Sequence, residues 1–235
     1  APLVENDIFR SKRDTCLSVS VVRNDGARYF VTYAGSAFEF NEDVVRRSSG
    51  FEQARATMFY GYFLLPAFGA EGVISCLHRA REAGQITFFD ANSATDGWSE
   101  QSRNDIFSFL PYIDYFMPNE EELLHLTGRN TVEEAAGLLL DKGANTVVVK
   151  RGASGASAFT ATSAVHHPGF RVTAYDTTGA GDSFDAGFMY SMLQDGEIGR
   201  ALAFGNALAS IVVSRRENRY PSMDEVLQRL GTAVG

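Results

Sequence analysis

The chain has 235 residues, 45% hydrophobic and 21% charged, which is enough for one sizeable α/β core and leaves no low-complexity tract. A formal net charge of -8 with no local Lys/Arg cluster argues against nucleic-acid binding, and with a pI near 5.0 a nucleotide ligand would need Mg2+ as a screen. No apolar run approaches bilayer-spanning length, Ala1 to Asp7 lacks the regions of a signal peptide, and Cys16 and Cys76 are distant thiols without metal spacing, so a soluble protein of the reducing cytoplasm is expected.

In chain order, Cys16 to Arg23 and Arg28 to Tyr33 are β-rich and joined by Asn24-Asp25-Gly26-Ala27, a hairpin signal that predicts an antiparallel ribbon. The pattern then alternates: strand Met58 to Leu64, helix through Val73 to Ala83, strand Ile86 to Asp90, helix near Asp105, strand Ile113 to Met117. A helix opened by the capping box Thr131-x-x-Glu134 and closed near Gly143 leads into strand Thr146 to Lys150. Gly155 to Thr160 and Val165 to Tyr175 read as shorter strands, after which the chain is mostly helical, its last helix opening at Ser222-x-x-Glu225. The rhythm predicts an α/β fold with a mostly parallel sheet covered by helices. Residues 1–40 form an N-terminal remnant and hairpin lid on a core of residues 41–235, with no internal repeat and no linker.

Ligands of such sheets bind beyond the carboxyl ends of the strands, so polar residues at those ends are candidates. Asp90-Ala91-Asn92, with Trp98 beyond, is one; it is equally the signature of an Asx-type loop. Pro118-Asn119-Glu120-Glu121-Glu122 is another, although acids opening a helix ordinarily serve capping and the dipole. Lys150-Arg151-Gly152 is the third, where Lys150 either meets phosphate or is a solvated turn lysine.

The most specific string is Asp176-Thr177-Thr178-Gly179-Ala180-Gly181-Asp182-Ser183-Phe184, a glycine-rich turn with an apolar helix behind it. The first N–H groups of that helix lack intrahelical partners and receive anions. A carboxylate at such a place either stabilises the first turn or accepts the proton of an attacking hydroxyl, so Asp182 is the candidate general base of a phosphoryl transfer. Downstream, the small residues of Phe204-Gly205-Asn206-Ala207-Leu208-Ala209 admit a flat ligand or simply pack tightly, with Asn206 as hydrogen-bonding group or brace. His78, His125, His166 and His167 lack metal spacing or a nucleophile partner, so surface or core roles are expected; no GxxxxGK[ST] loop is present.

The nine-residue string resembles the signature of the ribokinase-like carbohydrate kinases, the phosphofructokinase-B group, and the likeness runs from about residue 13 to residue 230. The resemblance implies ATP-dependent phosphorylation of a hydroxymethyl group on a small sugar or sugar acid. Asp182 would be the base, with the backbone of Gly179, Ala180 and Gly181 completing the anion hole. Asn119 and Glu122 match an Asn-x-x-Glu motif implicated in placing Mg2+ through water, while Lys150, Gly152, Thr177 and Asn206 would line the ATP site. Asp176 and Thr178 resemble a monovalent-cation site, but Ser214 to Arg219 depart from the glycine-containing loop that many relatives carry, which puts K+ dependence in doubt. A homodimer is expected. The family's usual first strand and Gly-rich segment, roughly a quarter of a domain of about 300 residues, have no counterpart, so the resemblance implies a fragment, an incomplete gene product, or strands supplied by another chain, with Ala1 in place of Met favouring processing or truncation. Two alternatives stand beside a sugar kinase: a nucleoside or vitamin-precursor kinase of the same fold, and a catalytically silent nucleotide-binding or assembly module.

Overall fold

In the computed structural model, which describes residues 9–22, 28–216 and 220–231, the chain folds into two sheets. Strands β1 (Leu17–Val22) and β2 (Arg28–Tyr33) pair antiparallel in the register Leu17↔Tyr33 to Val22↔Arg28. The proposed turn Asn24 to Ala27 lies outside the described residues. The ribbon stands off the core, with Leu17, Val19, Phe30, Val31 and Tyr33 all exposed.

After a short helix α1 (Glu42–Arg46), capped by Asn41, come β3 (Ala56–Tyr60), α2 (Gly69–Glu82), β4 (Ile86–Asp90), α3 (Glu100–Phe109) and β5 (Tyr115–Phe116). Then follow α4 (Glu120–Thr127), α5 (Val132–Asp141), β6 (Thr146–Lys150), β7 (Ala156–Phe159), β8 (Ala164–His167), α6 (Ala180–Asp195), α7 (Ile198–Val213) and α8 (Met223–Gly231). The main sheet has the order β3-β4-β5-β6-β7-β8; β3 to β6 run parallel, and β7 and β8 are added antiparallel.

Side chains alternate across the strands, so the sheet feeds two cores. Phe89, Phe116, Val147 and Val149 pack against α2 to α5, while Phe88, Met117 and Val148 pack against α6 and α7. This three-layer arrangement bears out the expected fold class.

Several expected boundaries are corrected. The strand expected at Met58 to Leu64 lies at Ala56–Tyr60, because Gly61 turns left-handed (φ 68°) and Tyr62–Leu64 form a 3-10 turn. The strand expected from Val165 to Tyr175 ends at His167, before Pro168, which has no N–H for a ladder, and Gly169 at φ 77°. β5 is shorter than Ile113 to Met117, although Asp114 N and Met117 N still donate to Thr87 O and Phe89 O at 3.0 and 2.8 Å.

Helices α6 and α7 approach most closely where glycine faces glycine. A Cβ added to Gly187 would stand 3.0 Å from Gly205 Cα and 3.2 Å from Phe204 O, so a methyl group there must push the helices apart. Gly137 in α5 has open space. Gly187→Ala is therefore expected to lower stability by about 1–3 kcal/mol, and Gly137→Ala to raise it by roughly 0.5–1 kcal/mol. Urea titrations of both variants check the pair; equal effects would refute the close approach.

Candidate active site

Helix α6 begins where the carboxyl ends of β3 to β6 converge. Gly179 supplies its left-handed N-cap (φ 75°), a conformation that costs other residues strain. Ala180 N–H, one of the expected anion-hole donors, is bonded to Thr177 O at 3.2 Å. The N–H groups of Gly179, Gly181 and Asp182 have no hydrogen-bond partner among the described residues. Gly181 is helical, and its lack of a Cβ matters for another reason: a Cβ would lie 3.6 Å from Lys150 Nζ. The preceding loop is pinned by Tyr175 N and Asp176 N on Val213 O (2.7 and 3.2 Å) and by an Asx turn, Thr178 N to Asp176 Oδ1 at 2.8 Å.

Asp182 is exposed, whereas Asp185, one turn on, is buried. Lys150 Nζ lies 2.6 Å from Asp90 Oδ2 and 3.2 and 3.3 Å from the two Asp185 oxygens. Lys150 is thus no solvated turn lysine: its side chain is 11% exposed, those of Asp90 and Asp185 2% and 5%. Burial works against the Lys150 charge, but Asp185 and Asp90 hold the ammonium above the ordinary lysine range. Asp185 is pushed well up, first by burial and then by the charge of Asp90.

Asn119 and Glu122 form the reciprocal capping box of α4: Glu122 N donates to Asn119 Oδ1 and Asn119 N to Glu122 Oε2, both at 2.9 Å. Ser93 Oγ donates to Glu122 Oε1 at 3.1 Å. Burial, then the charge of Asp90, raises the Glu122 carboxyl above its ordinary value. Among the described residues no three His, Cys, Asp or Glu side chains converge to hold a metal directly.

A cavity of about 420 Å³ runs from this point along α7, lined by Lys150, Gly152, Phe170, Thr177, Gly181 and Asn206 among others. Asn206 Nδ2 bonds His167 Nδ1 at 3.1 Å, which also accepts from Gly169 N at 3.1 Å, so Asn206 braces the cavity wall. Burial, then His166, lowers the His167 imidazole's pKa, in keeping with a ring nitrogen that accepts two hydrogen bonds. A second cavity, about 410 Å³, lies under the ribbon beside Cys16, Glu39, Phe40, Tyr60, Gly61 and Leu64. Tyr60 lines this cavity and faces the helix terminus: its phenol is pushed up first by burial, then by the negative charge of Asp182.

The fold therefore gathers Asn119, Glu122, Lys150, Gly152, Thr177, Gly179, Ala180, Gly181, Asp182 and Asn206 around one sheet edge, with Asp176 and Thr178 in the loop behind. Asp90 takes both its readings, forming an Asx turn with Asn92 N (3.0 Å) and binding Lys150. Trp98 packs in the core against Phe63 instead. Sequence reasoning missed Tyr60, hidden inside an overlong strand, and Asp185, whose signal was an acid in an otherwise apolar helix. It also missed the bracing role of His167.

A family model described as pfkB family carbohydrate kinase matches residues 4–225. Deoxyribokinase of Salmonella typhi is 38% identical over 125 residues, 50% of this chain and 41% of that protein. 5-dehydro-2-deoxygluconokinase 2 of Bacillus cereus is 27% identical over 217 residues, 88% of this chain and 65% of that protein, so the chain spans roughly half to two thirds of such relatives. The crystal structure of ribokinase from Thermotoga maritima superposes with a TM-score of 0.77 at 26% identity, over 95% of this chain and 72% of that one. Arabidopsis thaliana ribokinase complexed with ribose and ATP gives 0.75 at 23%, over 93% and 70%.

The raised Glu122 carboxyl makes a prediction about pH. As pH rises above the ordinary glutamate value of 4.5, the unfolded chain releases this proton before the native state does, so this group's contribution to native stability falls until the raised native value is passed. Glu122→Gln keeps a carbonyl for Asn119 N and cannot titrate. The variant's stability relative to wild type is expected to improve across that window. Denaturant titrations at stepped pH check it, and a gap independent of pH would contradict the assignment.

Proposed function

The chain belongs to the pfkB family of carbohydrate kinases, and on that premise we propose that this edge transfers the γ-phosphoryl group of ATP to a hydroxymethyl group of a small sugar or sugar acid. The observation that carries the reading is the start of α6, where N–H groups unpartnered among the described residues and an exposed carboxylate lie between two cavities. Negative charge developing on a transferring phosphoryl group suits the amides, and a hydroxyl arriving from the ribbon side meets Asp182.

In this reading the adenine occupies the cavity between Phe170 and Asn206, with the phosphates passing Thr177, Gly152 and Lys150 toward Gly181. Asp182 accepts the hydroxyl proton as the oxygen attacks. Asn119 and Glu122 would hold Mg2+ through its own waters, in keeping with an ion that keeps much of its hydration shell, and the ion would supply positive charge against the phosphates. A monovalent cation, K+, belongs at Asp176 and Thr178, and the paired strands β1 and β2 close over the sugar. No helix among the described residues is long and apolar enough to cross a membrane. Cytoplasmic location and a homodimer complete the proposal. A sugar acid deserves a place among the acceptors tested, since the relative matched over 88% of the chain is named for a gluconate derivative.

ATP consumption measured over a panel of sugars, sugar acids, nucleosides and vitamin precursors, with and without K+, tests the reading. Asp182→Asn is expected to lower kcat by roughly 10²–10⁴-fold while Kd for ATP stays within about threefold, because the amide keeps the shape but not the basicity. Near-normal kcat in that variant would remove Asp182 from the base's role. Withdrawal of Mg2+ is expected to abolish turnover, and Glu122→Gln to raise the Mg2+ concentration that half-restores it; an unchanged requirement would detach Glu122 from the ion.

A further inference from the structure

The buried Asp90, Lys150 and Asp185 cluster ties β4, β6 and α6 together, a tie that apolar packing could supply without charges. Three ionisable groups withdrawn from water are about as stable, at best, as apolar residues filling the same volume. Neutralising one ammonium takes one carboxylate, and the cluster has two. They come from opposite sides, Asp90 from the end of β4 and Asp185 from the second turn of α6, and both are more deeply buried than the amine. The Lys150 backbone is held as well, its N–H bonded to Pro118 O at 3.0 Å beside the Asn119 bridge. The ammonium is thus fixed from below and lines both the ATP-sized cavity and the shallower hollow at Asn119. It has three N–H donors. Asp90 takes one and the two Asp185 oxygens, nearly equidistant, share another, leaving one for the side on which Gly181 presents no Cβ.

We propose that Lys150 binds the terminal phosphate of the nucleotide and that Asp90 and Asp185 are positioning residues that aim its ammonium at the anion hole of α6. The inference rests on the phosphoryl-transfer reading and adds to it a cation whose direction is set by two acids, neither of which touches substrate. In this placement the cluster would meet the phosphate end of the nucleotide and Phe170 and Asn206 the adenine end.

Calorimetric titration of ATP, ADP and adenosine, with Mg2+, into wild type and variants separates the possibilities. In Lys150→Met, affinity for ATP is expected to fall about tenfold or more, as suits loss of a charge-assisted contact to phosphate, with adenosine unchanged. Because that substitution strands two buried acids, the triple variant Lys150→Met, Asp90→Asn, Asp185→Asn is measured beside it and is expected to show the same loss. Asp90→Asn alone distinguishes aiming from neutralisation. If Asp90 aims the amine, ATP binds more weakly; if it only cancels charge, its removal strengthens ATP binding and the positioning role is refuted. An unchanged ATP-to-adenosine affinity ratio in both Lys150 variants overturns the proposal while leaving the nucleotide site standing. Wild type that binds neither ATP nor adenosine overturns the nucleotide reading itself, and the proposal with it.

Discussion

A single ammonium group holds the carboxyl edge of the sheet to the helix that begins beside it. Lys150 sits at the end of β6, yet its Nζ reaches Asp90 at the end of β4 and Asp185 in α6, passing over the β5 end where Asn119 starts α4. Strand, strand and helix are therefore located relative to one another by contacts of 2.6 to 3.3 Å in a medium where an unmatched charge is costly. One turn upstream of Asp185 lie Gly181 and Asp182, whose amides point out of the same turn. Sliding α6 along its axis would break the ion cluster before it spoiled the anion hole.

The two sides of this edge differ in chemistry. Toward α7 the surface is recessed and largely apolar, with Phe170 and Phe184 among its lining and Asn206 fixed by His167. Toward the strand ends it is acidic, with Asp90, Glu122, Asp182 and Asp185 against one lysine. A flat base suits the first. Phosphates suit the second only with added positive charge, which is why the negative balance already visible in the composition and the local geometry both call for a divalent cation.

Much of this was legible in the residue order. Strands Ile86–Asp90 and Thr146–Lys150 are bounded by turn residues and polar ends, and they fall where the apolar runs place them. The capping signals at Thr131 and Ser222 mark helix starts because they are local chemistry, a side chain and an amide three residues apart. The glycine-rich string fixes α6 for the same reason. What was hidden depends on contacts remote in sequence. Tyr60 looked like the middle of an apolar run until Gly61 turned the chain, and Asp185 acquires meaning only from Lys150, 35 residues away. Val165 to Tyr175 carries strand-forming residues on both sides of Pro168-Gly169, but past His167 its backbone serves the loop that Val213 O anchors.

The central claim is that the terminal phosphate seats on the amides of Gly181 and Asp182, and amide hydrogen exchange reads those groups directly. With Mg2+ and ATP present, exchange at Gly181 and Asp182 is expected to slow about tenfold or more relative to the free protein, since both N–H groups gain an acceptor, whereas adenosine should protect only the cavity walls. ATP binding that leaves both amides exchanging at their free rates would contradict the account.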